Sequence, residues 1–246
     1  DRNELYVASV ACAIALEAKA VIVENVVTVQ RARQNVVERA KEMLISAGYK
    51  IGTCDAVLEA SRFGTPQKRR RHFLIASRTR ELDLSSCFEE LESDPISAME
   101  AIGDLRSITP CHDFDRPSNL STDNVRRVRY LIENDLWDLP DSERPVCHQD
   151  GTHTYPSVYG RIHPDEPAQT LTTGFLSPGR GRFTHPSLAR GLTLHEGARL
   201  QGFPDDFQFN GRRMEAVKRN ALSKLIGDAV PPQLGYVTGL AALSTL

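Results

Sequence analysis

The chain has 246 residues, enough for one large domain or for a domain with a small satellite. Its 30 basic and 32 acidic residues nearly cancel, and its 40% apolar content is that of an ordinary globular protein, so the overall balance does not announce a nucleic-acid binder. No apolar run approaches the roughly twenty residues of a membrane span, and Asp1-Arg2-Asn3-Glu4 lacks the basic-then-apolar layout of a secretory signal.

From Glu4 to Ala18 the residues Leu5, Val7, Val10, Ile14 and Leu16 predict a largely buried helix. Ala20 to Val23 is a short aliphatic run of the kind that fills a central parallel strand. The stripe Val36, Ala40, Met43, Leu44, Ala47 predicts a helix closed by Gly48. Arg71 to Ser77 predicts a second core strand, which gives the strand-helix-strand rhythm of an α/β fold. Beyond Arg80 the character changes. Residues 81–158 are rich in Pro, Ser, Asp and His and predict a smaller irregular region with one amphipathic helix, Asn124 to Asn134, capped by Asp123. From Tyr159 the pattern tightens, with a helix beginning near Thr193 and a final one after Pro231-Pro232.

Local charge says more than net charge. Arg62, Lys68, Arg69, Arg70, Arg71, Arg78 and Arg80 cluster, and an acidic stretch follows from Glu81 to Asp94. Such a stripe is either a solvated face or a holder of phosphates. Val23-Glu24-Asn25-Val26 places a carboxylate at the end of the first strand, the edge where open α/β sheets bind ligands. In Gln67-Lys68-Arg69-Arg70-Arg71 the residues two apart, Gln67, Arg69 and Arg71, would share a strand face. Two guanidiniums on one face are costly to bury without an anionic partner, either a phosphate or Glu24 itself; the alternative is an exposed strand end with solvated arginines.

The C-terminal third carries further blocks in order: Tyr159-Gly160-Arg161-Ile162, Pro167-Ala168-Gln169-Thr170-Leu171-Thr172-Thr173, and Gly179-Arg180-Gly181-Arg182-Phe183-Thr184-His185-Pro186. Leu192-Thr193-Leu194-His195-Glu196, Ala198-Arg199-Leu200-Gln201-Gly202-Phe203-Pro204-Asp205 and Ile226-Gly227-Asp228-Ala229-Val230-Pro231-Pro232 complete the series. In this order they resemble the late motifs of the cytosine-C5 DNA methyltransferases, and the Glu24 and Gln67-to-Arg71 blocks resemble that family's middle motifs.

The resemblance implies an α/β fold, part of a doubly wound S-adenosylmethionine-dependent methyltransferase sheet with a small target-recognition region. Residues 1–80 would form the second half of the catalytic domain, 81–158 the target-recognition region, and 159–246 the late motifs returning to the catalytic domain. The implied reaction flips a cytosine out of double-stranded DNA, adds a cysteine thiolate to C6 and moves a methyl group from S-adenosylmethionine to C5. Glu24 would engage N3 and the exocyclic amine, and Asn25 would brace the cysteine loop. Arg71 and Arg69 would hold the flipped nucleotide and the catalytic loop, with Gln67 in support. Thr170 would contact the phosphate beside the flipped base, and Asp228, Ala229 and Val230 would close over the cofactor. Arg161 joins the DNA-binding set, and Arg180 and Arg182, on a Gly-rich turn, either reach phosphate or a base edge or line a solvated loop.

Two positions depart from the family pattern: Asp228 stands where Asn is usual and His195 where Arg is common. An Asp at 228 would either bond the ammonium or hydroxyls of the cofactor or weaken its binding. The segment Asp1-Arg2-Asn3-Glu4-Leu5 resembles the stretch just after the family's Pro-Cys nucleophile loop, so the nucleophile is expected from an N-terminal half or a complementary subunit. A non-catalytic DNA-binding or regulatory module derived from such an enzyme is the alternative. Pro110-Cys111 is a remote substitute nucleophile, and Cys111, His112, Cys147, His148 and His153 lack the usual zinc spacing, so no metal is expected. The five scattered cysteines suit a reducing cytoplasm, and a bacterial source would place the protein at the nucleoid.

Overall fold

A computed structural model describes residues 4–52, 56–81, 83–110, 112–149, 157–209 and 217–246. Contacts divide the chain into two units: Asp1–Phe63, Arg69–Asp94 and Pro232–Leu246 form the first, and Gly64–Lys68 with Pro95–Pro231 the second.

The first unit is built on β5 (Arg70–Ser77), which is paired on both edges in a four-stranded sheet. β1 (Ala20–Asn25) runs along one edge, from Ala20 opposite Ser77 to Asn25 opposite His72. β2 (Lys50–Ile51) and β3 (Ala56–Glu59) share the other. Successive strand side chains point to opposite faces, and Phe73, Leu74, Ile75 and Ala76 are all buried, so β5 is covered on both. The aliphatic run of β1 predicts a central parallel strand, but its observed partner is antiparallel and Ile22 is 41% exposed. Aliphatic composition reports burial and carries no information on strand direction.

α1 (Glu4–Ala15) and α2 (Val36–Ser46) pack on this sheet through Tyr6, Val10, Val36, Ala40 and Leu44. α2 follows its sequence stripe, and Gly48 takes the left-handed conformation at φ +85° that ends it. α1 is less buried than its sequence predicts. Its Tyr6 and Val10, four residues apart, face the core, while Leu5 and the following Leu16 stand exposed. α3 (Leu84–Glu89), capped by the Asp83 carboxylate, and α8 (Pro232–Leu243), which starts on proline as predicted, complete this unit.

The second unit has its own core of Ile102, Ile162, Leu171, Phe175, Phe183, Leu192, Leu194, Leu200 and Ile226. α4 (Ala98–Ile102), α6 (Leu194–Leu200) and α7 (Arg219–Asp228) supply several of these. α6 begins with a capping box in which Thr193 and Glu196 satisfy each other's backbone N–H groups. α5 (Thr122–Glu133) starts two residues before its predicted start: the Ser121 hydroxyl caps it, and Asp123 falls inside the first turn. A short parallel ladder joins β4 (Gln67–Lys68) to β6 (Ala168–Gln169). No helix among the described residues is long and apolar enough to cross a membrane.

Candidate active site

In the first unit the candidate side chains lie at the end of the β1–β5 ladder. Glu24 pairs in register with Phe73, which puts Arg71 on the diagonal, and Arg71 Nε sits 3.0 Å from Glu24 Oε1. Burial lifts the Glu24 carboxyl above its ordinary value, against the opposing pull of Arg71 first and Arg69 second. Burial also lowers Arg71, against the pull of Glu24. An arginine so shifted stays protonated at neutral pH. Arg69 is buried, and its carbonyl accepts a hydrogen bond from Ala60 N–H. The Asn25 carboxamide oxygen accepts the N–H of Val26 at 2.8 Å and so fixes the chain as it leaves β1. This cluster sets a partly buried carboxyl, raised above its ordinary value, beside a fixed cation.

The predicted single strand through Gln67, Arg69 and Arg71 is broken at Arg69, between β4 and β5. The chain passes there from one ladder to the other, and the side chains serve different units. Gln67 is fully buried in the second unit. Its carboxamide donates to Leu200 O at 3.1 Å and to Gln201 Oε1 at 2.7 Å, and accepts from Leu171 N–H at 2.9 Å. Gln201 in turn donates to Ala229 O. In the sequence Gln201 is marked only by membership of a motif. Its signal was only that it follows the apolar run of α6, which is insufficient to foretell a contact with a residue 134 positions away.

The Thr170 hydroxyl donates to Lys68 O at 2.7 Å. Arg161 is buried, bonded to Pro186 O and Asp135 and lying over the Trp137 ring. Arg182 is also buried and grips both carboxylate oxygens of Asp138, at 2.7 and 2.8 Å. Of the three arginines read as DNA-binding, only Arg180 is exposed. His195 lies between Asp115, 2.8 Å away, and Asp205, 3.1 Å away. Pro110 is described, but Cys111 and His153 lie outside the described residues. Among those described, no three His, Cys, Asp or Glu side chains gather as metal ligands.

Residues 1–242 match the family model for C-5 cytosine-specific DNA methylase. The chain belongs to that family. It is 42% identical over 225 residues to the type II methyltransferase M1.BsuMI of Bacillus subtilis, covering 91% of this chain and 51% of that protein. With the type II methylase M.HgiDII of Herpetosiphon aurantiacus it shares 30% identity over 203 residues, 80% of this chain and 56% of the other. The chain thus spans about half the length of these curated relatives. In fold it is similar to a candidate DNA modification methyltransferase encoded within an E. coli prophage, with a TM-score of 0.63 at 19% identity over 99% of this chain and 74% of the other.

Within this methylase family, the Asp228-Ala229-Val230 block is the stretch to test against a cofactor. Asp228 is half-exposed, and its carboxylate is paired with Lys224 one turn earlier. A surface partner of this kind is exchangeable, and a carboxylate accepts equally from an ammonium or a ribose diol. The Asp228 carboxylate is thus an acceptor open to exchange. The Ala229 carbonyl is held by Gln201, so the block is tied to the Gln67 hub within the same unit.

Proposed function

We propose that this chain is the C-terminal portion of a DNA (cytosine-5-)-methyltransferase, acting on a cytosine flipped from double-stranded DNA. The observation that carries the reading is Glu24, a carboxyl lifted by burial and held 3.0 Å from Arg71. A protonated Glu24 donates to N3 of cytosine, so negative charge arriving on the ring is neutralised as C6 is attacked. Arg71 orients that carboxyl and, with Arg69, places two cations beside the flipped nucleotide. S-adenosylmethionine, when bound, supplies the electrophilic methyl group. Asp228, with the Ala229 and Val230 backbone, would hold its ammonium or ribose side.

The thiolate would come from a segment outside these residues. Cys87, in the same unit as Glu24, is a poor alternative, because burial and the nearby Glu90 and Asp83 raise its thiol. The functional division into catalytic residues 1–80, target recognition 81–158 and late motifs 159–246 belongs to this proposal, as does a restriction-linked role like that of the type II relatives.

The test mixes this chain with a separately expressed N-terminal half, tritiated S-adenosylmethionine and duplex DNA. Methyl transfer that Glu24→Gln abolishes supports the reading. Retained DNA binding with no transfer for any such partner would instead indicate a non-catalytic DNA-binding module. Transfer to tRNA in preference to duplex DNA would move the substrate class.

A further inference from the structure

A cavity of about 450 Å³ opens in the second unit, lined by the first turns of α5 and α7 and by the loop from Thr173 to Arg180. Arg180 is the only charged side chain among its described lining residues; the others are chiefly hydroxyl and carboxamide residues, among them Asn119, Asn124, Ser177 and Asn220. The Arg180 guanidinium has no hydrogen bond or ion pair among the described residues, whereas Arg161 and Arg182 are paired with Asp135 and Asp138. Its stem is nonetheless seated. A Cβ added at Gly174 would lie 2.3 Å from Arg180 Cδ, so the absence of a side chain at 174 makes the room the arginine occupies.

The polar lining includes one oriented donor. Arg127 Nη1 takes the Asn124 carboxamide oxygen at 3.0 Å, which leaves the Asn124 NH2 group as the half available to a ligand. One uncompensated cation, an amide donor in the same lining and no carboxylate describe an anion site. The volume exceeds that of a bare phosphate and admits the attached sugar.

We propose that this cavity seats a phosphodiester of the DNA backbone, with Arg180 as its cation and Gly174 as the residue that lets the arginine stem lie there. The proposal rests on the reading of the chain as DNA-binding. It gives Arg180 a positioning role that is independent of base sequence.

The test is fluorescence anisotropy of the 246-residue chain on labelled duplexes of several sequences, from about 50 to 200 mM salt. Arg180→Gln is expected to weaken binding about five- to tenfold on every duplex and to flatten the slope of log K against log salt by about 0.9. Gly174→Ala, which displaces the stem, should change affinity and slope in the same direction, and adding it to Arg180→Gln should cost little more. A general loss of folding would not lower the slope by one phosphate contact. Wild-type binding with an unchanged slope in Arg180→Gln overturns this proposal alone. Wild-type chain that binds no duplex overturns it together with the methyltransferase reading. Inorganic phosphate is the second arm. If it raises the melting temperature of wild type but not of Arg180→Gln, while DNA binding is the same for both, the cavity is a small-anion site and the proposal fails.

Discussion

Glu24 and Arg71 meet diagonally across the β1–β5 ladder, carboxylate oxygen to Nε at 3.0 Å. Both are drawn from water by the same packing, and their values move towards each other: the acid upward, the guanidinium downward. A solvated pair would show neither shift. The titration of Glu24 is therefore set by burial against the charge that stands beside it.

Glu24→Gln in the reconstituted enzyme is expected to cut methyl transfer by about 100- to 10,000-fold, the range of a lost general acid, with DNA affinity retained. Activity of the unmodified enzyme should fall on the alkaline side as Glu24 ionises. Arg71→Gln removes the larger of the charges that oppose burial at Glu24. The alkaline limb of the pH–rate profile should then move to higher pH while the plateau drops. A limb that moves to lower pH would show that Glu24 is not the titrating group.

The parts of the fold carried by local signals were legible in the sequence. The α2 stripe with Gly48 and the helix start near Thr193 each lie within about a dozen residues and need no tertiary information. What the sequence hid was long-range. The strand break at Arg69 follows from β4 pairing with β6, a segment about a hundred positions later. The internal roles of Arg161 and Arg182 depend on Asp135 and Asp138, which belong to an irregular stretch with no periodicity to place them. An arginine in a Gly-rich turn reads the same whether its carboxylate partner is folded against it or missing. The Glu24–Arg71 pair was only partly legible: the cost of burying guanidiniums left Glu24 as one of the open partners, and the register of β1 on β5 selects it.

The Gln67 carboxamide uses both its donor and acceptor ends in a buried site. Gln67→Ala is expected to lower stability by about 2–4 kcal/mol in urea unfolding, because it strands Leu171 N–H and the Leu200 carbonyl away from water. A loss under about 0.5 kcal/mol would mean that solvent reaches this position.

His185 gives the acid sensitivity a defined window. Its ring is fully buried, and Nδ1 accepts the N–H groups of Ser187 and Leu188 at 3.0 and 3.1 Å, which requires the neutral form. Burial pushes it down from 6.5 to about 4, with Glu196 opposing and Arg190, Arg106 and Arg161 assisting. The unfolded chain takes up this proton first. Stability is therefore full above pH 6.5 and falls as pH drops towards about 4, by about 3 kcal/mol in total. Glu196 adds a loss below the ordinary glutamate value: burial pushes it upward, but the Arg190 hydrogen bond, His185 and the Thr193 backbone bring it below. His185→Gln should flatten the first window only. Equal slopes in variant and wild type between pH 6.5 and 4 would contradict the assignment.

Three helical glycines separate propensity from packing. Alanine is favoured over glycine in a helix interior by about 1 kcal/mol. At Gly235 in α8 nothing lies within 4 Å of an added Cβ, so Gly235→Ala should stabilise by about 0.5–1 kcal/mol. At Gly197 in α6 the Cβ would fall 2.2 Å from Phe175 Cε2, and overpacking at about 1–3 kcal/mol should outweigh propensity. Gly227 in α7 is worse, since the Cβ meets the Thr172 backbone at 2.6 Å and no rotamer change relieves it. Thermal unfolding of the three variants should rank them in that order. Equal gains at all three would remove the packing argument.

The first unit exposes large apolar side chains on several elements: Ile22 and the adjoining Val26 at β1, Leu16 after α1, and Tyr236 and Leu243 on α8. Among the described residues β1 is paired on one edge only. An exposed apolar strand with free backbone groups templates association with another strand. The chain alone is therefore expected to bind a hydrophobic dye and to sediment with increasing mass as its concentration rises. Ile22→Lys places a charge on that edge and should suppress association without lowering cooperativity of unfolding, because Ile22 is not in the core. A chain that stays monomeric and dye-free at every concentration would show that these side chains are covered in solution. Adding the complementary N-terminal half gives the matching control. If it covers this edge, dye binding and self-association should both disappear as the complex forms.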